Sequence, residues 1–248
     1  MCGSMLEIKL FKDQNLKGYT LIEGFPGAGL VGPMAASYII EKLNMQYIGY
    51  IDSDLFPPIT AVHSGVPMYT ARLYADPKNK LVVVLSEFTI PTNAVHALGM
   101  ELLSFVRKNN IAKIISIGGI PSQQISENAF MIASQQSLIK EGQKYGIKPI
   151  EEGVIAGVSA VLLTGASDFN IPMINILVEV NPEIMDPKYA EIAISALNKL
   201  LGINIDLKEL DKEAKLVEAK VREMLKKTKE THDHYDKAAE AVEPPTYV

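Results

Sequence analysis

The run Gly24-Phe-Pro-Gly27-Ala-Gly29-Leu-Val-Gly32-Pro-Met-Ala-Ala-Ser-Tyr38-Ile-Ile40 lies between two contrasting patterns. Before it, Tyr19–Glu23 has the apolar, β-favouring composition of a strand. After it, Pro33–Leu43 carries apolar residues at helical spacing. A strand, a glycine-rich turn and a helix open an α/β unit. Gly27, Gly29 and Gly32 match the G-x-G-x-x-G spacing of dinucleotide-binding turns, and Asp52 closes the next strand-like run about 20 residues on. The turn has two readings: a cradle for a pyrophosphate on the helix N-terminus, or a tight turn that lets strand and helix pack closely.

Working outward, strand-like runs recur at Gln46–Asp52, Pro67–Tyr74, Lys80–Ser86, Ala112–Ile117 and Ile174–Val180. Leu81-Val-Val-Val-Leu85 and Ile114-Ile-Ser-Ile117 are nearly continuous apolar runs, as in strands buried on both faces. Helical patterns fall at Thr92–Lys108, Asn128–Tyr145, Val158–Ala166 and Lys188–Leu201, with Thr92 placed to cap its helix. The alternation predicts an α/β fold, a three-layer α/β/α sandwich around a mostly parallel or mixed sheet. Met68–Tyr74 is expected to pair antiparallel with Lys80–Ser86.

From Asp206 onward the composition turns highly charged. Leu207, Leu210, Ala214, Val217, Val221 and Met224 follow the a/d spacing of a short coiled coil. Asp211–Lys215, Glu218–Arg222 and Glu223–Lys227 supply i,i+4 pairs. The spacing predicts a long helix over 206–237, either an oligomerisation seam or a stripe lying back on the domain. A tail, 238–248, carries Pro244-Pro245. The expected division is therefore a 1–205 core, a 206–237 helix and a 238–248 tail.

Composition narrows the function classes. A chain of 248 residues, 48% hydrophobic, buries a core without staples. The single cysteine, Cys2, provides neither a disulfide framework nor a thiolate zinc site and fits a reducing, cytoplasmic compartment. A net charge of −5 with no basic block argues against nucleic acid. The longest uncharged runs, 24–40 and 153–167, are too short and too glycine-rich to span a membrane.

Catalytic signatures are incomplete. Tyr74-Ala-Asp-Pro-Lys78 has a proline where a helical acid/base pair cannot have one. No Gly-Lys-Ser/Thr follows the glycine turn, and Pro33 removes an amide from the first turn of its helix. Gly157-Val-Ser159-Ala-Val161 lacks the second glycine of a nucleophile elbow. His63 and His96 have no serine placed beside them. His232-Asp-His234 offers two metal donors without a third, so no metal and no cofactor is expected. Asp52, Ser86, Glu87 and Gly118-Gly119 fall at predicted strand ends, where a crevice with Glu87, Asn93 and His96 is the enzyme alternative.

Three segments together resemble one family: Gly24–Gly32 with Ala35–Ile40, the Gly118-Gly119 pair, and Gly153-Val-Ile-Ala-Gly-Val-Ser-Ala-Val-Leu-Leu163. Over roughly residues 5–200 the chain resembles the proteasome assembly chaperones, in particular archaeal homologues of the second eukaryotic chaperone. The resemblance implies a topology like that of purine nucleoside phosphorylases without their catalytic residues. It also implies docking on the α-ring of the 20S proteasome through a C-terminal hydrophobic–tyrosine–any-residue signal, here Thr246-Tyr247-Val248, with a methyl as the apolar part of Thr246. Self-association and a second chaperone of the family are the further partners expected. The alternative is a nucleotide-binding or phosphorylase-like enzyme using the turn from Gly27 to Gly32, with Gly24 at its entry.

Overall fold

The structure, a computed structural model, describes residues 6–182, 184–208, 210, 223, 226–227 and 229–230. Among them are eleven strands: β1 Leu6–Leu10, β2 Thr20–Gly24, β3 Gln46–Ser53, β4 Ala61–His63, β5 Val66–Met68, β6 Ala71–Asp76, β7 Leu81–Ser86, β8 Lys113–Pro121, β9 Ala129–Ala133, β10 Lys148–Pro149 and β11 Met173–Val180. The helices are α1 Val31–Lys42, α2 Thr92–Lys108, α3 Gln136–Lys144, α4 Val158–Asp168 and α5 Pro187–Leu201, with a 3-10 turn at Ala28–Leu30.

Nine strands form one mixed sheet in the order β1-β3-β6-β7-β2-β8-β11-β9-β10. The centre, β7-β2-β8-β11, is parallel, and it contains the two nearly continuous apolar runs of the sequence, in β7 and β8. β6 pairs antiparallel with β7 as expected, and β1, β3 and β9 add further antiparallel pairs. One face packs α1 and α5 over Ile22, Val83, Ile115 and Ile176. The other packs α2 and α4 over Leu21, Val84, Ile114 and Met173. Odd and even residues of each central strand therefore serve different layers, which is the three-layer arrangement.

Several expectations are corrected. The helix expected over Asn128–Tyr145 is strand β9 followed by the shorter α3. Buried Ala129 and Met131 alternate with half-buried Phe130 and Ile132, a period-two pattern that closes the sheet against β11. The strand expected over Pro67–Tyr74 breaks at Tyr69-Thr70, so Pro67 belongs to a separate β4–β5 hairpin and the main-sheet strand begins at Ala71. Gly118-Gly119 lie inside β8, not beyond its end. Pro91, not Thr92, occupies the cap position of α2, without a side-chain hydrogen bond. Of the predicted seam, Leu207 packs against the core and Leu210 is 1% exposed within it, past the expected boundary at residue 205. Ala214, Val217, Val221 and Met224 lie outside the described residues.

Candidate functional site

The glycine turn stands where open α/β sheets place ligands, at the carboxyl end of the central strand β2. Its surroundings are filled by the chain itself. A Cβ on Gly24 would meet the Cβ of Ala36 at 2.5 Å, and one on Gly32 would meet the Ile117 carbonyl oxygen at 2.7 Å and that of Phe25 at 2.8 Å. Gly29 has φ +63° and would press a Cβ onto Val180 at 2.9 Å, and a Cβ on Gly119 would run into the Ala28 carbonyl. Only Gly27 of the motif is open, and its φ of −154° demands no glycine. Leu30 enters α1 in the left-handed conformation, φ 51°, so the turn folds back onto β8 and β11.

Asp52, the acid a ribose would need, sits on β3, separated from β2 by β7 and β6. It accepts a hydrogen bond from Lys9 Nζ at 3.1 Å. The spacing of a dinucleotide site is therefore present without its geometry, and the turn works as a packing device.

Beneath the turn is a buried polar row that the sequence reading did not single out. Glu23 on β2 is 2% exposed, and its Oε1 accepts the Phe25 N–H at 2.8 Å. Its Oε2 accepts hydrogen bonds from Ser116 Oγ on β8 at 2.5 Å and from Ser159 Oγ in the first turn of α4 at 3.1 Å. The two hydroxyls are 2.8 Å apart. In register with Ser116, on the neighbouring strand β11, is Asn175, 1% exposed, whose Oδ1 accepts no hydrogen bond among the described residues. Burial pushes the Glu23 carboxyl up from its usual range, against the opposing pull of Ser116, Phe25 and Ser159. Sealed from solvent, this acid ties β2, β8 and α4 together. A lone charged residue in an apolar strand run was the available signal, since burial requires it to find partners.

Glu87 just beyond β7 meets His63, not His96: His63 Nε2 lies 3.0 Å from Glu87 Oε1. Its main partner is Arg72 of β6, whose guanidinium forms two hydrogen bonds to the carboxylate. Asn93 and His96 are exposed on α2 and take no part. Ser86, 1% exposed, donates to the Phe88 carbonyl at 2.7 Å and serves the turn after β7. Lys78 follows Asp76 in a turn that Asp76 caps, so Tyr74 and Lys78 form no helical pair. Among the described residues, no three His, Cys, Asp or Glu side chains gather as a metal site, and no helix is long and apolar enough to cross a membrane. His232, His234 and the segment Thr246-Tyr247-Val248 lie outside the described residues.

Comparison with known proteins bears on the whole core. An uncharacterised Methanocaldococcus jannaschii protein, MJ0106, is 31% identical over 204 residues, covering 82% of this chain and 84% of that one. The structure of Pyrococcus furiosus PbaA, described as an archaeal homolog of proteasome-assembly chaperone, superposes with a TM-score of 0.80 at 29% identity, covering 90% of this chain and 99% of that one. Pyrococcus furiosus PbaB, described as an archaeal proteasome activator, gives a TM-score of 0.75 at 25% identity, covering 88% and 98%. The sequence profile of the PAC2 family matches residues 21–225, and the chain belongs to this family.

Proposed function

We propose that the chain is a cytoplasmic proteasome-binding chaperone that docks on the α-ring of the 20S proteasome through Thr246-Tyr247-Val248. The observation that carries this reading is the pairing of a PbaA-like core with that segment. A tyrosine ring buries apolar area in a pocket while its hydroxyl stays hydrogen-bonded. PbaA, described as an archaeal homolog of proteasome-assembly chaperone, and PbaB, described as an archaeal proteasome activator, share this fold at 25% identity or above. The turn and the Glu23 row add nothing to an enzyme reading, because both are closed by the protein's own atoms. The other expected partners are a second copy of the chain and a second chaperone of the family.

The test is binding of full-length chain to purified proteasome α-rings, compared with a chain lacking residues 246–248 and with Tyr247→Ala. Loss of binding in both supports the reading. Undiminished binding by the deletion overturns tail docking.

A further inference from the structure

We propose that β1 is a self-association edge through which two copies of this chain join their sheets into one. Strand β1 ends the nine-stranded sheet, and no described residue pairs with its outer side. The phase of its hydrogen bonds follows from its pairing with β3. Phe11 N–H donates to the Ile48 carbonyl at 2.9 Å, continuing the register Leu6↔Ser53 to Leu10↔Gly49. Glu7, Lys9 and Phe11 therefore direct their backbone groups at β3, and Leu6, Ile8 and Leu10 direct theirs outward. Three N–H groups and three carbonyls with no partner among the described residues form a template for another strand.

The sequence of the edge selects a second copy as that strand. Leu6-Glu7-Ile8-Lys9-Leu10 is self-complementary about Ile8. Antiparallel pairing on a two-fold axis at Ile8 sets Ile8 against Ile8 of the second copy and Leu6 against its Leu10, all as hydrogen-bonded pairs. The same pairing sets Glu7 opposite Lys9 of the second copy, twice, at the non-hydrogen-bonded positions where side chains come closest. Moving the axis by one residue either way would put Glu7 against Glu7 or Lys9 against Lys9. The charges thus specify one register, and the isologous contact closes on itself and uses up both edges. Lys9 is already steered along this face by Asp52 at 3.1 Å and Glu7 at 3.5 Å, with both partners half exposed. The contact uses none of the residues Thr246–Val248 and none of the predicted helical seam.

Two measurements on the full chain test it. In sedimentation, Glu7→Lys replaces two attractive pairs by two repulsive ones and is expected to weaken association about tenfold or more. An unchanged association constant overturns the proposal, as does a chain that is monomeric at every concentration. Register is read directly in a Cys2→Ser background by mixing a Glu7→Cys chain with a Lys9→Cys chain under mild oxidation. Opposed Cα atoms about 4.5 Å apart fall within disulfide reach. Cross-linked dimer is expected from the mixture and not from either chain alone. No cross-link in the mixture, or equal cross-linking by the single variants, overturns it.

Discussion

Arg72 Nη1 and Nη2 reach Glu87 Oε2 and Oε1 at 3.0 and 2.5 Å, a two-pronged ion pair with Arg72 only 3% exposed. Nη1 also donates to the Tyr69 carbonyl at 2.8 Å, and the Glu87 N–H donates to the Thr70 carbonyl at 2.9 Å. The pair therefore holds the segment between the β4–β5 hairpin and β6 against the end of β7. Burial disfavours the Arg72 charge, but the hydrogen bond and charge of Glu87 outweigh it and hold the guanidinium ionised. Glu87→Ala strands that cation and is expected to cost about 3–5 kcal/mol in denaturant unfolding. His63, 43% exposed beside the same carboxylate, contributes through a solvated contact. His63→Ala should cost no more than about 1 kcal/mol. Equal losses for the two variants would refute this division of roles.

Glu23 gives a pH-dependent signature. Its folded carboxyl titrates above the unfolded value because burial penalises the charge. The folded state then holds a proton that the unfolded state has released, so stability falls as pH rises above the ordinary glutamate range and through the folded value. Glu23→Gln keeps an acceptor for the Phe25 N–H and offers an amide to the Ser116 and Ser159 hydroxyls, without a charge to bury. The variant should match the parent chain in melting temperature near pH 4 and exceed it at pH 8. A constant difference across that range would show that Glu23 is not the titrating group.

The three-layer architecture was legible because β7 and the first half of β8 are nearly continuous apolar runs, β11 is mostly apolar, and α2 and α5 are strongly periodic. The strand β9 was not, since Phe130-Met131-Ile132 suits either period and the decision rests on the partner strand β11, remote in sequence. β1 escaped notice because Glu7 and Lys9 dilute its apolar content, which is how an edge strand is composed. The Glu23 row was hidden for a different reason. Its three side chains come from positions 23, 116 and 159; the β2–β8 register sets Glu23 beside Ser116, and the packing of α4 adds Ser159.

The glycines separate packing from phosphate binding. Gly24→Ala and Gly32→Ala drive a methyl into backbone atoms, and Gly29→Ala adds a left-handed φ to a clash with Val180. Each is expected to cost about 1–3 kcal/mol or more. Gly27→Ala meets nothing within 4 Å and should fall within about 0.5 kcal/mol of the parent chain. A phosphate cradle would need Gly27 as much as the others for close backbone approach. Thermal melts of the four variants test the packing role: a cost at Gly27 comparable with Gly24 would refute it.

The boundary between core and helix can be placed by truncation. Leu210 is 1% exposed among α1 and α5 residues, and the Asp206 carbonyl accepts the Tyr38 hydroxyl at 2.6 Å. The core therefore continues past the change in composition at Asp206, because Leu207 and Leu210 pack against its apolar surface. Leu210→Ala should cost about 2–5 kcal/mol, as for a leucine removed from a packed interior. A chain ending at Leu210 should keep the unfolding midpoint of the full chain. One ending at Ile205 loses Leu207, Leu210 and the acceptor of Tyr38 together, and its midpoint should drop sharply. Equal midpoints for the two truncated chains would return the boundary to residue 205 and free Leu207 and Leu210 for a partner helix.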